Sequence, residues 1–179
     1  PVRSGKSTFI KKFMELLVLP NMESAAARAR ARDELPQSAA GRTIMTTEPK
    51  FIPETAVSLT LDGGGAFRAR LIDCVGYMVE GAMGHEENEK PRMVKSPWFE
   101  EEVPFDLAAE TGTRKVITDH STIGILVTTD GTISDIPREN YERAEERIVA
   151  ELEKIGKPYV ILLNTTAPDS EEVRTLAGE

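Results

Sequence analysis

Several features are scarce or absent in this 179-residue chain, and each absence excludes some structures or classes of function. The single cysteine, Cys74, excludes an internal disulfide, fits a reducing compartment and does not by itself indicate a metal site. Basic residues are outnumbered, with 22 Lys and Arg against 30 Asp and Glu, so the net charge of −8 argues against a nucleic-acid or anionic-membrane surface. No apolar run reaches the roughly 18 residues that a transmembrane helix needs.

The first residues of the chain carry its clearest motif. Residues 1–7, PVRSGKS, fit all but the first glycine of the phosphate-loop pattern G-x-x-x-x-G-K-[ST]. In such a loop, backbone N–H groups surround a phosphate, the lysine reaches the β- and γ-phosphates, and the following hydroxyl holds Mg²⁺. A glycine turn that caps a helix is the simpler alternative. The pattern predicts nucleotide contacts from Arg3, Ser4, Gly5, Lys6, Ser7 and Thr8.

The spacing of apolar residues predicts an α/β fold. It indicates helices over residues 7–17, 25–35, 107–119 and 140–155, a hairpin of strands 57–61 and 67–72, and buried strands over 123–127 and 159–163. This order predicts a mostly parallel sheet with one antiparallel edge strand and helices on both faces. We expect a single domain over 1–179 that is truncated at both ends, an irregular insertion over 84–105, and no closing helix after Asn164.

Two further motifs follow in the order that a GTPase-like phosphate-loop domain requires. The threonine-rich segment 43–49, TIMTTEP, lies where such domains supply a second hydroxyl to Mg²⁺ and a backbone N–H to the γ-phosphate. Residues 73–76, DCVG, form a D-x-x-G motif directly after an apolar strand. Asp73 is therefore predicted to hold the metal ion and the Gly76 N–H to meet the γ-phosphate.

The segment after the last predicted strand bears on the choice of base. GTPases place N-K-x-D there, and its aspartate pairs with the N1 and N2 hydrogens of guanine. Here the sequence is N-T-T-A, so Asn164 is kept whereas Ala167 replaces the carboxylate. A pocket without that carboxylate loses its main preference for guanine, which favours ATP as the nucleotide.

The combination resembles the stage IV sporulation protein A family, the ATPases that form the basement layer of the bacterial spore coat. The resemblance spans nearly the whole chain, and LPQSAAG and TTDGT are its most specific stretches. The segments that carry it are residues 1–11, 33–41, 43–51, 73–77, 91–93, 112–117, 120–124 and 128–133.

This resemblance implies a GTPase-like (TRAFAC) phosphate-loop domain that binds ATP and Mg²⁺ and hydrolyses ATP to drive self-assembly into a polymer. It assigns phosphate binding to Lys6, nucleotide sensing to Thr46 and Thr47, and Mg²⁺ binding to Asp73. The motifs themselves predict Ser7 and Thr47 as further Mg²⁺ ligands. The resemblance also implies a small amphipathic membrane-anchoring peptide and other coat morphogenetic proteins as partners. The implied location is the mother-cell cytoplasm, peripheral on the outer membrane surface of the forespore.

Alternatives remain for both the chemistry and Arg3. The domain could be a GTPase that reads guanine with residues outside this chain, or a nucleotide-gated scaffold without significant turnover. Arg3 lies inside the phosphate loop, where a permanent positive charge could act as an arginine finger in cis. The alternative for Arg3 is an outward-pointing side chain that is solvated or contacts a neighbouring subunit.

Overall fold

The computed structural model describes residues 1–36, 48–61, 63–87 and 90–178. The chain divides into two compact units, which we describe separately. Unit 1 comprises Pro1–Gly5, Ala39–Glu48 and Cys74–Glu179, and unit 2 comprises Lys6–Ser38 and Pro49–Asp73.

Unit 2 begins with the helix that follows the phosphate-loop motif. Helix α1 spans Lys6–Phe13 and continues as a π-helical turn, Met14–Val18, and a 3₁₀ turn, Leu19–Asn21. Helix α2 spans Ala25–Asp33, and it begins where the Ser24 hydroxyl accepts a hydrogen bond from the Ala27 N–H. This N-cap satisfies one of the backbone donors that the first turn of a helix leaves unpaired.

A long antiparallel hairpin completes unit 2. Strand β1, Lys50–Thr60, pairs with strand β2, Ala66–Asp73, and the register shifts between Ile52 and Val57. The predicted hairpin is therefore confirmed, and both of its strands are longer than the sequence pattern indicated. Helix α1, its extension, α2 and β1 bury one apolar cluster, whose members are Ile10, Met14, Val18, Leu19, Met22, Ala31, Ile52 and Leu59.

Unit 1 contains the remaining elements. Its first strands are two residues long and pair antiparallel: β3, Glu86–Glu87, with β4, Lys90–Pro91, and β5, Met93–Val94, with β6, Val103–Pro104. They lie in the segment 84–105, for which the sequence predicts an irregular insertion. The longer elements are helix α3, Phe105–Lys115, with a π-helical turn, Val116–His120, then strand β7, Gly124–Thr129, helix α4, Glu139–Ile155, strand β8, Tyr159–Asn164, and helix α5, Glu171–Leu176.

Strands β7 and β8 form a parallel pair connected through α4. The pairing runs from Gly124 opposite Tyr159 to Thr129 opposite Asn164, so both strands end at the same edge. Helix α4 buries one apolar face, as its spacing predicted, and it ends at Gly156, whose φ of +71° favours glycine. The core of this unit consists of Val2, Tyr77, Val79, Ala82, Leu126, Ile136, Tyr141, Ala144, Ile148 and Leu152.

The observed strand pairing differs from the predicted sheet. Among the described residues the strands pair two by two, giving one parallel pair and three antiparallel pairs instead of one mostly parallel sheet. The expectation of no closing helix after Asn164 is also wrong, because α5 follows with its N-terminus capped by Ser170. No helix in the described ranges is both long and apolar enough to cross a membrane.

Candidate functional site

In unit 2, the start of α1 lies beside the end of β2. The Ser7 hydroxyl donates a hydrogen bond to Oδ2 of Asp73 over 3.0 Å, although 66 residues separate them in the sequence. Ser7 follows the phosphate-loop lysine, and Asp73 opens the D-x-x-G motif. The structure therefore brings together two of the three residues that the sequence predicted as metal ligands.

The surroundings of Asp73 act on the charge of its carboxylate in two directions. Burial raises the pKa of the Asp73 carboxyl above its usual value, while the Ser7 hydrogen bond and the charges of Lys6 and Lys50 act in the opposite direction. Burial disfavours the charged carboxylate, and a nearby cation offsets that cost. A hydroxyl and a carboxylate are hard oxygen ligands of the kind that Mg²⁺ prefers. The residues present therefore fit a Mg²⁺ site.

In unit 1, the first five residues form a tight loop with unusual backbone angles. Arg3 has a φ of +59° and Gly5 a φ of +91°. The buried Ser4 hydroxyl donates to the Pro1 carbonyl over 3.0 Å, and the Val2 N–H donates to the Tyr77 carbonyl over 2.9 Å. A non-glycine residue at positive φ is uncommon, so the conformation at Arg3 depends on these surrounding contacts.

Tyr141 of helix α4 fixes the middle of this loop. Its hydroxyl donates to the Arg3 carbonyl over 3.2 Å and lies 3.1 Å from the Ser134 hydroxyl. Burial raises the pKa of Tyr141, whereas the Ser134 hydrogen bond and the Arg3 charge lower it. Arg3 itself is half-buried, and its charge acts on this phenol.

Asn164 contacts the other end of the loop. Its Nδ2 donates to the Ser4 carbonyl over 3.2 Å, across 160 residues of sequence. A Cβ atom added to Gly5 would lie only 2.2 Å from that Nδ2. Position 5 therefore requires glycine for two reasons, the positive φ of the backbone and the close approach of the Asn164 side chain.

The Gly76 N–H has a partner within the protein. It donates to the hydroxyl of Thr113, on helix α3, over 3.0 Å. The sequence predicted this N–H to meet the γ-phosphate, and that role stays a prediction. A γ-phosphate that binds Gly76 would have to take the place of the Thr113 hydroxyl.

The contacts described above do not test the roles predicted for three other residues. Thr46 and Thr47 lie outside the described residues. Thr8 is exposed on α1. Their predicted roles stay predictions.

Sequence reasoning missed three residues that contact the predicted residues or their immediate neighbours. Thr113 binds Gly76, Tyr141 was predicted only as a core residue, and Asp130 binds the hydroxyl of Thr165, the neighbour of Asn164. Asp130 follows a buried strand directly, which is the signal that identified Asp73. That signal could have identified Asp130, whereas nothing in the sequence indicates the contacts of Thr113 and Tyr141.

Comparison with known proteins identifies a matching family. The family model for "Stage IV sporulation protein A, ATPase domain" matches residues 1–179. The proteins named stage IV sporulation protein A from Bacillus anthracis and Bacillus subtilis (strain 168) are 60% and 58% identical over 99% and 98% of this chain. The protein of that name from Clostridioides difficile (strain 630) is 52% identical over 100% of it.

These relatives are longer than the chain, which spans 36–37% of their length. None of the solved structures gives a significant match. The family match, in contrast, extends from the first residue to the last. This chain therefore belongs to the family of the ATPase domain of stage IV sporulation protein A.

Proposed function

We propose that this chain binds ATP with Mg²⁺ and hydrolyses it as a TRAFAC-type phosphate-loop domain. The observation that carries the proposal is the 3.0 Å hydrogen bond between Ser7 and Asp73, with the Lys6 charge acting on the same carboxylate. In the sequence, Gly5 and Lys6 are consecutive residues of one phosphate-loop motif. The family's description as an ATPase domain supports the same activity.

The residues of this chain have distinct tasks in that reaction. Phosphoryl transfer depends mainly on positioning and on neutralising the charge of the phosphates. The Lys6 ammonium faces the β- and γ-phosphates, and backbone N–H groups of the loop bind their oxygens. Ser7 and Asp73 would hold Mg²⁺, which would neutralise charge on the phosphate oxygens.

We further propose that ATP hydrolysis drives self-assembly of the spore-coat basement layer in the full-length protein. The 52–60% identity to proteins named for stage IV of sporulation supports a role in spore formation. A small amphipathic membrane peptide and other coat morphogenetic proteins are the proposed partners. The proposed location is the mother-cell side of the forespore outer membrane.

The first experiment measures phosphate release and ATP binding by the full-length protein carrying Lys6→Ala. We expect turnover to fall by about 10²-fold or more, the scale on which single transition-state donors act. Lys11→Ala removes a lysine from the same helix and should stay within about twofold of the wild type. Wild-type turnover in Lys6→Ala, or equal losses in both variants, would show that Lys6 does not bind the phosphates.

Two added measurements separate this function from its alternatives. ATP and GTP compete for binding in the first, and we expect ATP to be preferred because Ala167 offers no carboxylate to guanine. In the second, assembly is compared between ATP and a non-hydrolysable analogue. Assembly with the analogue at the rate seen with ATP would instead identify a nucleotide-gated scaffold.

A further inference from the structure

The loops that follow strands β7 and β8 begin next to each other, at the same edge of the parallel strand pair. Thr129 and Asn164 are the last paired residues, so Asp130 and Thr165 occupy the next position on each chain segment. Carboxyl ends of parallel strands are where ligands bind in open α/β sheets. A side chain that fixes these two loops to each other therefore acts where a bound nucleotide is expected.

Asp130 makes that connection with both of its carboxylate oxygens. Oδ2 accepts a hydrogen bond from the Thr165 hydroxyl over 2.6 Å. Oδ1 accepts from the N–H and the hydroxyl of Thr132, over 3.0 Å and 2.7 Å. The Thr132 hydroxyl in turn accepts from the Thr166 N–H over 3.0 Å. We call Asp130, Thr132 and Thr165 the threonine clip.

The clip ends one residue away from a contact with the phosphate loop. Thr165 directly follows Asn164, whose Nδ2 donates to the Ser4 carbonyl and fills the space beside Gly5. The Ala167 N–H donates to the Thr165 hydroxyl over 3.1 Å, which further restricts the segment. A shift of Thr165 would therefore move Asn164 relative to the loop.

We propose that Asp130 is a positioning residue that acts through Thr165 to hold Asn164 against the phosphate loop. Thr165, one member of the clip, stands at the position of the lysine in an N-K-x-D segment. Both oxygens of Asp130 are engaged by donors of the protein, so we assign it to positioning and not to pairing with the base. This inference rests on the proposed ATPase function of the same site.

The clip should affect nucleotide binding more than the chemical step. When the loop is already held in its binding conformation before ATP arrives, binding costs less free energy because the loop does not have to become ordered. Loss of the clip should weaken the binding of the substrate and of the transition state by the same amount. Such a uniform loss of binding raises KM and leaves kcat unchanged. ADP should lose affinity together with ATP, because Ser4 and Gly5 lie in the part of the motif that surrounds the phosphates common to both.

The test compares Thr165→Val with Thr165→Ser in the full-length protein. Valine keeps the shape and removes the hydroxyl, whereas serine keeps the hydroxyl. We expect Thr165→Val to raise KM and the Kd for ATP and ADP by about threefold to tenfold with kcat unchanged, a range typical for one lost hydrogen bond. Thr165→Ser should restore wild-type values, and Thr118→Val, at an exposed threonine of the same unit, should match the wild type.

Asp130→Ala, which removes both acceptor oxygens, is the second variant, for use if Thr165→Val does not fold, and it should raise KM in the same way. Wild-type KM in a folded Thr165→Val or Asp130→Ala protein would overturn the positioning role. A fall in kcat with unchanged KM would also overturn it. A wild-type protein that binds no ATP would overturn the proposed function itself, so the two failures are distinguishable.

Discussion

The buried hydroxyl of Tyr77 provides a quantitative test of the packing in unit 1. Tyr77 is fully buried, and its hydroxyl donates a hydrogen bond to Glu151 of helix α4. Glu151 also accepts from Arg114 of α3 over 2.7 Å, and the Arg147 guanidinium lies 4.9 Å from the centre of the Tyr77 ring. Burial, together with Glu151, raises the pKa of Tyr77 well above its usual value, so the phenol stays a donor.

Tyr77→Phe removes this donor and leaves the ring in place. A hydrogen bond to a charged acceptor contributes about 1.5–3 kcal/mol to stability. Glu151 keeps its bond to Arg114 in the variant and is not left without a partner. We therefore expect the lower value, about 1.5 kcal/mol. For a chain of this length, that loss lowers the melting temperature by about 3–6 °C.

Urea unfolding followed by the fluorescence of Trp98, the single tryptophan, measures this loss. Tyr159→Phe is the matched control, because within the described residues the Tyr159 hydroxyl makes only a long, 3.5 Å contact with the exposed Glu153. The control should change the free energy of unfolding by less than about 0.5 kcal/mol. Equal effects of the two substitutions, or an unchanged Tyr77→Phe protein, would refute the energetic role of the Tyr77–Glu151 bond.

The long periodic segments of this fold were predictable from sequence. Helix α4 buries Tyr141, Ala144, Ile148 and Leu152, four of the five residues that its helical spacing placed on one side. Strands β7 and β8 were predicted within two residues at each end. The predictions of these elements are accurate because an apolar face that must be buried determines both the type of element and its orientation.

Weaker signals account for the errors in the fold. Strand β1 begins at Lys50, whereas the sequence predicted its start at residue 57. The prediction missed the first part of the strand because Pro53, Glu54 and Thr55 interrupt the apolar alternation. Helix α5 has only six residues, too few to show a period, although Ser170 and the following glutamates are a recognisable start signal. The pairing of strands two by two depends on contacts that no local pattern contains.

The candidate site was predictable where a motif names both partners. The phosphate-loop and D-x-x-G patterns assign Ser7 and Asp73 to the same metal ion, and the two side chains do lie in contact. The partner of Gly76 lies 37 residues away on α3, and the carboxylate of Asp130 reaches a threonine 35 residues later. Such contacts arise from tertiary packing, so the sequence shows the residues without showing that they meet.

Two further predictions concern pH and the phosphate loop. Burial acts to raise the pKa of Glu151, but hydrogen bonds from Arg114 and Tyr77 outweigh it and lower the pKa below 4.5. The stabilising effect of the carboxylate is thus present above about pH 4.5 and is lost as the pH falls through the folded-state pKa. In unfolding titrations, the advantage of the wild type over Glu151→Gln should shrink below that pH, and an advantage that grows there would contradict the assignment. Gly5→Ala should destabilise the protein for two reasons, the φ of +91° and the 2.2 Å approach of a Cβ atom to Asn164. The backbone strain costs about 1–2 kcal/mol, and only the steric conflict is relieved by removing the Asn164 side chain. The Gly5→Ala/Asn164→Ala double variant should therefore be more stable than the sum of the single losses predicts, by about 0.5–3 kcal/mol. Strict additivity in the same urea-unfolding assay would show that the side chain of Asn164 does not press against the loop.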